Sequence, residues 1–173
     1  MKILKSSIFF LIISNTGFSQ VSYEIDLGKP HLLNGIEYGY EIRNERRKEV
    51  KKEDFSRFEI TAYITNKSGC SKLLLPNRTL FGIDYQDVMA DFDCVNATGK
   101  RMTSKSAKVR AKDFNTPYTY IIKGADGKDF KNNVMVKVGN MLRNGETITN
   151  NFVVIVPDGE HPMMKVRIVE LKD

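Results

Sequence analysis

The apolar residues of this chain recur at every second position, and that period ties the backbone to extended strands with one dry and one wet face. Ile36, Tyr38, Tyr40 and Ile42 alternate with Glu37, Gly39, Glu41 and Arg43, and Phe58, Ile60, Ala62 and Ile64 alternate with Glu59, Thr61, Tyr63 and Thr65. Val88, Ala90, Phe92 and Cys94 form a third such face, which turns Cys94 toward a core. Met164, Val166 and Ile168 form a fourth. Between the first two strands lies Asn44 to Asp54, a run of mixed charges. It reads either as a long solvated hairpin loop or as a ribbon that prolongs both strands.

Turn chemistry punctuates the chain at matching intervals. Asn66 to Gly69, Asn96 to Gly99, Gly124 to Gly127, Asn144-Gly145 and Pro157 to Gly159 place residues that tolerate turn geometry between the β-like runs. Further strands are expected near Leu73 to Leu75, Lys105 to Ala111, Tyr118 to Lys123, Val134 to Val138, Thr147 to Val156 and Met164 to Glu170. Tyr85 to Phe92 has room for two helical turns, although Val88, Phe92 and the flanking aspartates suit a strand as well. The expectation is an all-β domain, an antiparallel sandwich or barrel of about eight or nine strands.

The N-terminus has a different character. Lys2 and Lys5 give a positive start, Ile8 to Ile13 is unbroken apolar, and Gly17-Phe18-Ser19 sets small residues three and one positions before Gln20. That order is the pattern of a cleavable secretory signal peptide over residues 1–19, with cleavage between Ser19 and Gln20 and a single domain over 20–173. A membrane-spanning helix needs roughly 20 apolar residues, and Ser14, Asn15 and Thr16 end this run early. No cysteine follows the small residues to carry a lipid, and no later stretch reaches spanning length. The chain therefore reads as exported, periplasmic or extracellular, with no transmembrane segment left after cleavage.

That compartment bears on the cysteines. Cys70 and Cys94 both follow the leader, and an even count in an oxidising setting implies a disulfide. Closing such a loop stabilises a fold by about 3 kcal/mol on the chain-entropy argument, provided the backbone brings the two within reach. The rival reading is a pair of buried, inert thiols.

Phe58 to Ser68, with the Asn66 turn, is similar to the central strand and following turn of telokin-like, immunoglobulin-like domains of bacterial secreted and surface proteins. Gly145-Glu146, then Phe152 to Gly159, then Lys165 to Val169 resembles the closing hairpin of the same domains, and Asp93 to Lys100 sits where they carry a strand ending in a polar glycine turn. The charged Asn44 to Asp54 segment and the cysteine pair depart from that pattern, as does the absence of a lipid-anchoring cysteine. The resemblance implies an immunoglobulin-like β-sandwich and an extracytoplasmic setting. It implies no reaction and no catalytic residues.

The residues themselves offer no catalytic set. His31 and His161 are the only histidines, neither in metal-pair spacing nor beside a nucleophile turn, and no glycine-rich phosphate loop is present. No cofactor is expected. Asp84, Asp87, Asp91 and Asp93 are the best candidates for metal ligands, as close carboxylates that hard cations favour, yet they lack the glycine-turned loop of a calcium site. Lys100, Arg101, Lys105, Lys108, Arg110 and Lys112 run with no acidic residue between them, and Lys105, Lys108 and Arg110 are the candidate contacts for a polyanion. A charged, solvated sheet face is the plainer reading. Net charge is +6, including both leader lysines, which is mild, and no aromatic residues interleave with these cations as stacking platforms, so nucleic acid is not the expected partner. The Asn-X-Ser/Thr strings at Asn66, Asn77 and Asn96 read as accidental. The leading function is a non-catalytic binding or interaction module for an envelope protein, peptide or glycan. An accessory or inhibitory subunit of an exported enzyme is the alternative, and a metal-dependent hydrolase a distant one.

Overall fold

Alternation of apolar and polar residues is realised as strand throughout. The structure, a computed structural model, describes residues 20–50, 53–79, 82–84 and 87–169. The expected signal peptide, residues 1–19, lies outside the described residues, as do the side chains of Asp84 and Lys105. In chain order the strands are β1 (Gln20–Ile25), β2 (His31–Leu33), β3 (Ile36–Val50), β4 (Glu53–Asn66), β5 (Lys72–Leu74), β6 (Asn77–Thr79) and β7 (Gly82–Asp84). They continue as β8 (Val88–Val95), β9 (Arg101–Arg110), β10 (Lys112–Lys123), β11 (Asp129–Leu142), β12 (Thr147–Pro157) and β13 (Met163–Val169). Every stretch expected to be a strand falls on one, and the described residues contain no helix; Glu170, the end of the last expected strand, and Tyr85 and Gln86, the start of the considered helical turns, lie outside the described residues. The two helical turns considered for Tyr85 to Phe92 give way to β8, whose period-two faces bury Ala90, Phe92 and Cys94.

The count exceeds eight or nine because β1, β2, β6 and β7 are additional. Two of these carried readable signals. Asn34 and Gly35, both at positive φ (50° and 74°), make the two-residue turn between β2 and β3 that matches strand twist. Tyr23 and Ile25 of β1 set a short dry face beside β13.

All pairings are antiparallel. One sheet has the order β1-β13-β8-β9, a second β12-β4-β3-β2, a third β10-β11-β5, and β6 pairs with β7. The inner faces of the two four-stranded sheets share one core: Phe58, Ile60, Ala62 and Ile64 of β4 meet Ala90, Phe92 and Cys94 of β8, with Met164, Val166 and Ile168 of β13. Each large side chain buried there contributes about 1.5–3 kcal/mol. Where the sheet edges β9 and β12 run together, Asn150 Nδ2 donates to the Lys108 carbonyl at 2.9 Å.

Asn66 is the joint of the molecule. It is fully buried, and its Nδ2 donates to the carbonyls of Cys70 at 2.8 Å and Leu142 at 3.1 Å. Its Oδ1 accepts from the Ser68 amide and hydroxyl, and its backbone exchanges hydrogen bonds with Glu146 and Gly145. The end of β4, the end of β11 and the turn into β12 are thereby tied at one residue, whose amide has no room for a sugar.

Two ribbons lengthen this body, and only the second is a bare pair. The described part of Asn44 to Asp54 takes the ribbon alternative, since β3 and β4 stay paired out to Val50 and Glu53 after a bulge between Ile42 and Asn44; Lys51 and Lys52 lie outside the described residues. β12 stays paired with β4 out to Phe55, and the turn after β12 braces the outer end, with the Asp158 amide donating to the Asp54 carbonyl at 3.0 Å and Ser56 Oγ to Asp158 Oδ1 at 3.0 Å. The second ribbon is β10 and β11, paired from Lys112–Met141 to Lys123–Asp129. It follows β9 after a single residue, Ala111, whose N–H donates to the Asp87 carbonyl at 2.8 Å.

The expected disulfide is absent, and this is a correction: Cys70 and Cys94 are both free. Cys94 points into the core as its strand period requires, whereas Cys70 sits on the exposed turn that Asn66 organises. Buried among apolar groups, the Cys94 thiol is pushed up to about 12, and it donates to the Met102 sulfur at 4.0 Å.

Candidate interaction surfaces

The β10–β11 ribbon is the part of the molecule least explained by folding. Only its root is covered, where β5 pairs with Asn140 to Leu142 and Leu142 enters the core. From Thr116 to Lys137 every side chain is exposed or half-buried. Residues opposite one another in an antiparallel pair share a face. Thr116 with Val136, Tyr118 with Val134, Tyr120 with Asn132 and Ile122 with Phe130 therefore form one side. Tyr118 is 59% exposed and Phe130 55%, with Ile122 and Val136 also open. The rings of Tyr118 and Tyr120 stack with centroids 6.3 Å apart, and Asn132 Nδ2 donates to the Tyr120 hydroxyl at 2.8 Å. The surface is thus ordered by its own contacts. The reverse side carries Thr119, Asn133, Lys131 and Lys123, together with exposed Ile121 and Met135. Contiguous apolar surface of this kind marks interaction sites.

Ion pairs fix the base of this arm. Lys137 Nζ donates to Asp113 Oδ1, and Lys112 Nζ to Glu146 Oε1, each at 2.6 Å. The Lys112 ammonium and then the Arg143 N–H hold the Glu146 carboxyl below its ordinary range.

The charged residues singled out from sequence come together elsewhere, on the outer face of the β1-β13-β8-β9 sheet. Rows run across it: Ser22, Arg167, Asp91 and Lys108 in one, Glu24, Lys165, Asp93 and Ser106 in the next. Arg167 lies 2.9 Å from Asp91 and 3.2 Å from Asp93, and Arg101 is 2.7 Å from Asp93. Arg110 pairs with Asp87 at 2.5 Å. The carboxylates considered as metal ligands are thus occupied by arginines, and among the described residues no group of three or more His, Cys, Asp or Glu could hold a metal ion. Asp84 lies apart in β7. The polyanion candidates are compensated by the same pairing: Lys108 is opposite Asp91 and Arg110 is held by Asp87, while Lys105 belongs to β9 by its backbone. Lys112, the first residue of β10, has left this face for Glu146. Both histidines pack on aromatic rings, His31 on Tyr23 at 4.0 Å and His161 near Phe58 at 6.3 Å.

Sequence reasoning found the arm's strands but assigned them no surface role. Apolar pairs such as Ile121-Ile122 and the run Val134-Met135-Val136 read like a strand buried on both faces. The available signal was that, after residue 19, the sequence holds no further long apolar segment outside the core strands to cover them. Among the described residues no helix is long and apolar enough to cross a membrane. No protein family, curated protein or solved structure matches the chain.

Proposed function

We propose that the chain is an exported, non-catalytic binding module of immunoglobulin-like type that engages an envelope protein through the β10–β11 arm. Two antiparallel sheets facing across one core support the immunoglobulin-like part of the reading, and the leader pattern of residues 1–19 supports export. The observation that carries it is the ordered apolar side of the arm, formed by Tyr118, Tyr120, Ile122, Phe130, Val134 and Val136 with no layer packed over it among the described residues. A partner that covers this side removes the apolar surface from water, and flat aromatic anchors are the usual centre of such contacts.

The test is affinity capture from native envelope extract with the wild type and a Tyr118→Ser/Phe130→Ser variant, both confirmed folded by their melting curves. A protein retained by the wild type and lost from the variant supports the reading. Identical eluates from both overturn it.

A further inference from the structure

The outer face of β12, β4 and β3 is a polar trough, and its chemistry is unlike that of either ribbon. A depression of about 480 Å³ lies over Thr61, Asn151 and Arg43, and a second of about 320 Å³ adjoins it over Tyr63, Thr65 and Thr147. Register explains the grouping, because Thr147 pairs with Thr65, Thr149 with Tyr63 and Asn151 with Thr61. The face is therefore lined by hydroxyls and an amide at every other residue of two strands.

We propose that this trough is a binding site for a neutral oligosaccharide. Three observations favour that ligand class. The first is a ring laid flat: β3 has Gly39 opposite Tyr63, and a methyl there would run into the tyrosine ring, so the ring lies across the bare backbone and turns its other face outward. Such a face suits the C–H side of a sugar. The second is an array of groups that both donate and accept. Thr61, 5% exposed, forms the floor and donates to Asn151 Oδ1 at 2.7 Å, leaving the Asn151 N–H groups for a ligand, and the Thr65 and Thr147 hydroxyls lie 2.9 Å apart. Vicinal hydroxyls match that pattern.

The third observation is charge balance. Glu37 is paired with Lys67 at 2.5 Å, Glu41 with Arg43 at 3.2 Å, and Glu59 with Arg57. A polyanion would meet three carboxylates and a polycation three cations, whereas an uncharged chain meets neither penalty. An extended peptide is disfavoured for a different reason. Peptides join a sheet chiefly through backbone hydrogen bonds at an edge, and β4 at the centre of the trough is paired on both sides. From Thr147 to Val153 the face runs about 20 Å, enough for a short oligosaccharide. It shares no residue with the arm, so the two readings stand or fall separately.

Native gel electrophoresis through soluble β-glucan, xylan and mannan tests it. The wild type should be retarded by at least one of the three. Tyr63→Ala and Asn151→Ala should each weaken that retardation by about tenfold, the loss of one stacking or hydrogen-bonding group, with Tyr63→Phe close to wild type. Asn151 is exposed, so its variant remains informative if Tyr63→Ala fails to fold. No retardation of the wild type in any of the three gels, or equal retardation of wild type and the Asn151→Ala variant, would overturn the proposal. Loss of retardation in the arm variant with the trough variants unaffected would overturn it equally, by assigning the sugar to the arm.

Discussion

The two ribbons have the same construction and opposite surfaces. β3–β4 and β10–β11 are both long antiparallel pairs, each with one register irregularity. Beyond it β3 carries Glu45, Arg46, Arg47 and Glu49 along an edge open to water, while β4 stays paired with β12 out to Phe55 and keeps Phe58 and Ser56 buried. The β10–β11 arm carries Tyr118, Ile121, Ile122, Phe130 and Met135 instead. Length and a bulge are common to both, so they say nothing of function, whereas only β10–β11 leaves the body as a bare pair. What distinguishes the arm is that water pays for the first ribbon's exposure and nothing in the described chain does so for the second.

The comparison can be broken at its roots or sharpened at its tips. The largest effect belongs to the packed part of β4: Phe58→Ala should cost about 3–5 kcal/mol in denaturant unfolding, while Phe130→Ala on the arm should stay within about 0.5 kcal/mol. Comparable losses at both would mean that the arm is part of the folding core. Next is Asn66→Ala, which strands the buried carbonyl of Leu142, removes one of the donors to that of Cys70 and should cost about 1–3 kcal/mol. Hydrogen exchange should then quicken where β4 and β11 end; an effect confined to β4 would show that Asn66 does not tie the two ribbons together.

A smaller effect is set by pH. The Glu146 carboxyl is held below its ordinary value of 4.5, so the stability contributed by its contacts with Lys112 and the Arg143 N–H is fully present above that value and is lost as pH falls through the lower folded one. Replacing it, Glu146→Gln, should flatten that part of the acid limb of a stability-against-pH curve. An unchanged acid limb would remove the ion pair from the base of the arm. The smallest effect is expected from Lys108→Ser with Arg110→Ser. Asp91 and Asp87 already answer these cations, so heparin retention at low salt should change little, and its abolition would restore the face as a polyanion site.

Much of the body was legible because burial on one face leaves a period-two imprint. Phe58 to Ile64 and Met164 to Ile168 are read correctly for that reason, and Gly99, Gly127 and Gly159 mark turns because each has positive φ. β2 was overlooked despite Asn34-Gly35, since three residues are too few to show a period. The arm was legible as strands and illegible as surface, for hydrophobicity records that a residue seeks cover, not whether its own chain supplies it. The thiols failed for a geometric reason. Strand parity correctly turned Cys94 inward, but where the Asn66 turn puts Cys70 depends on hydrogen bonds to Leu142, 76 residues away, which no local pattern encodes. The trough was missed likewise, because Tyr63 and Asn151 become neighbours only through the register of β4 and β12.

The unpaired state of the cysteines makes the molecule convenient to observe. One sulfur is exposed and the other is sealed in the core with its ionisation suppressed. A maleimide dye applied to the folded native sequence should therefore attach at a single position, with no mutagenesis. That position, Cys70, lies on the turn just before β5, the strand that holds the foot of the arm. A fluorophore there is a built-in reporter, placed to register by its colour or its tumbling whatever the arm takes hold of.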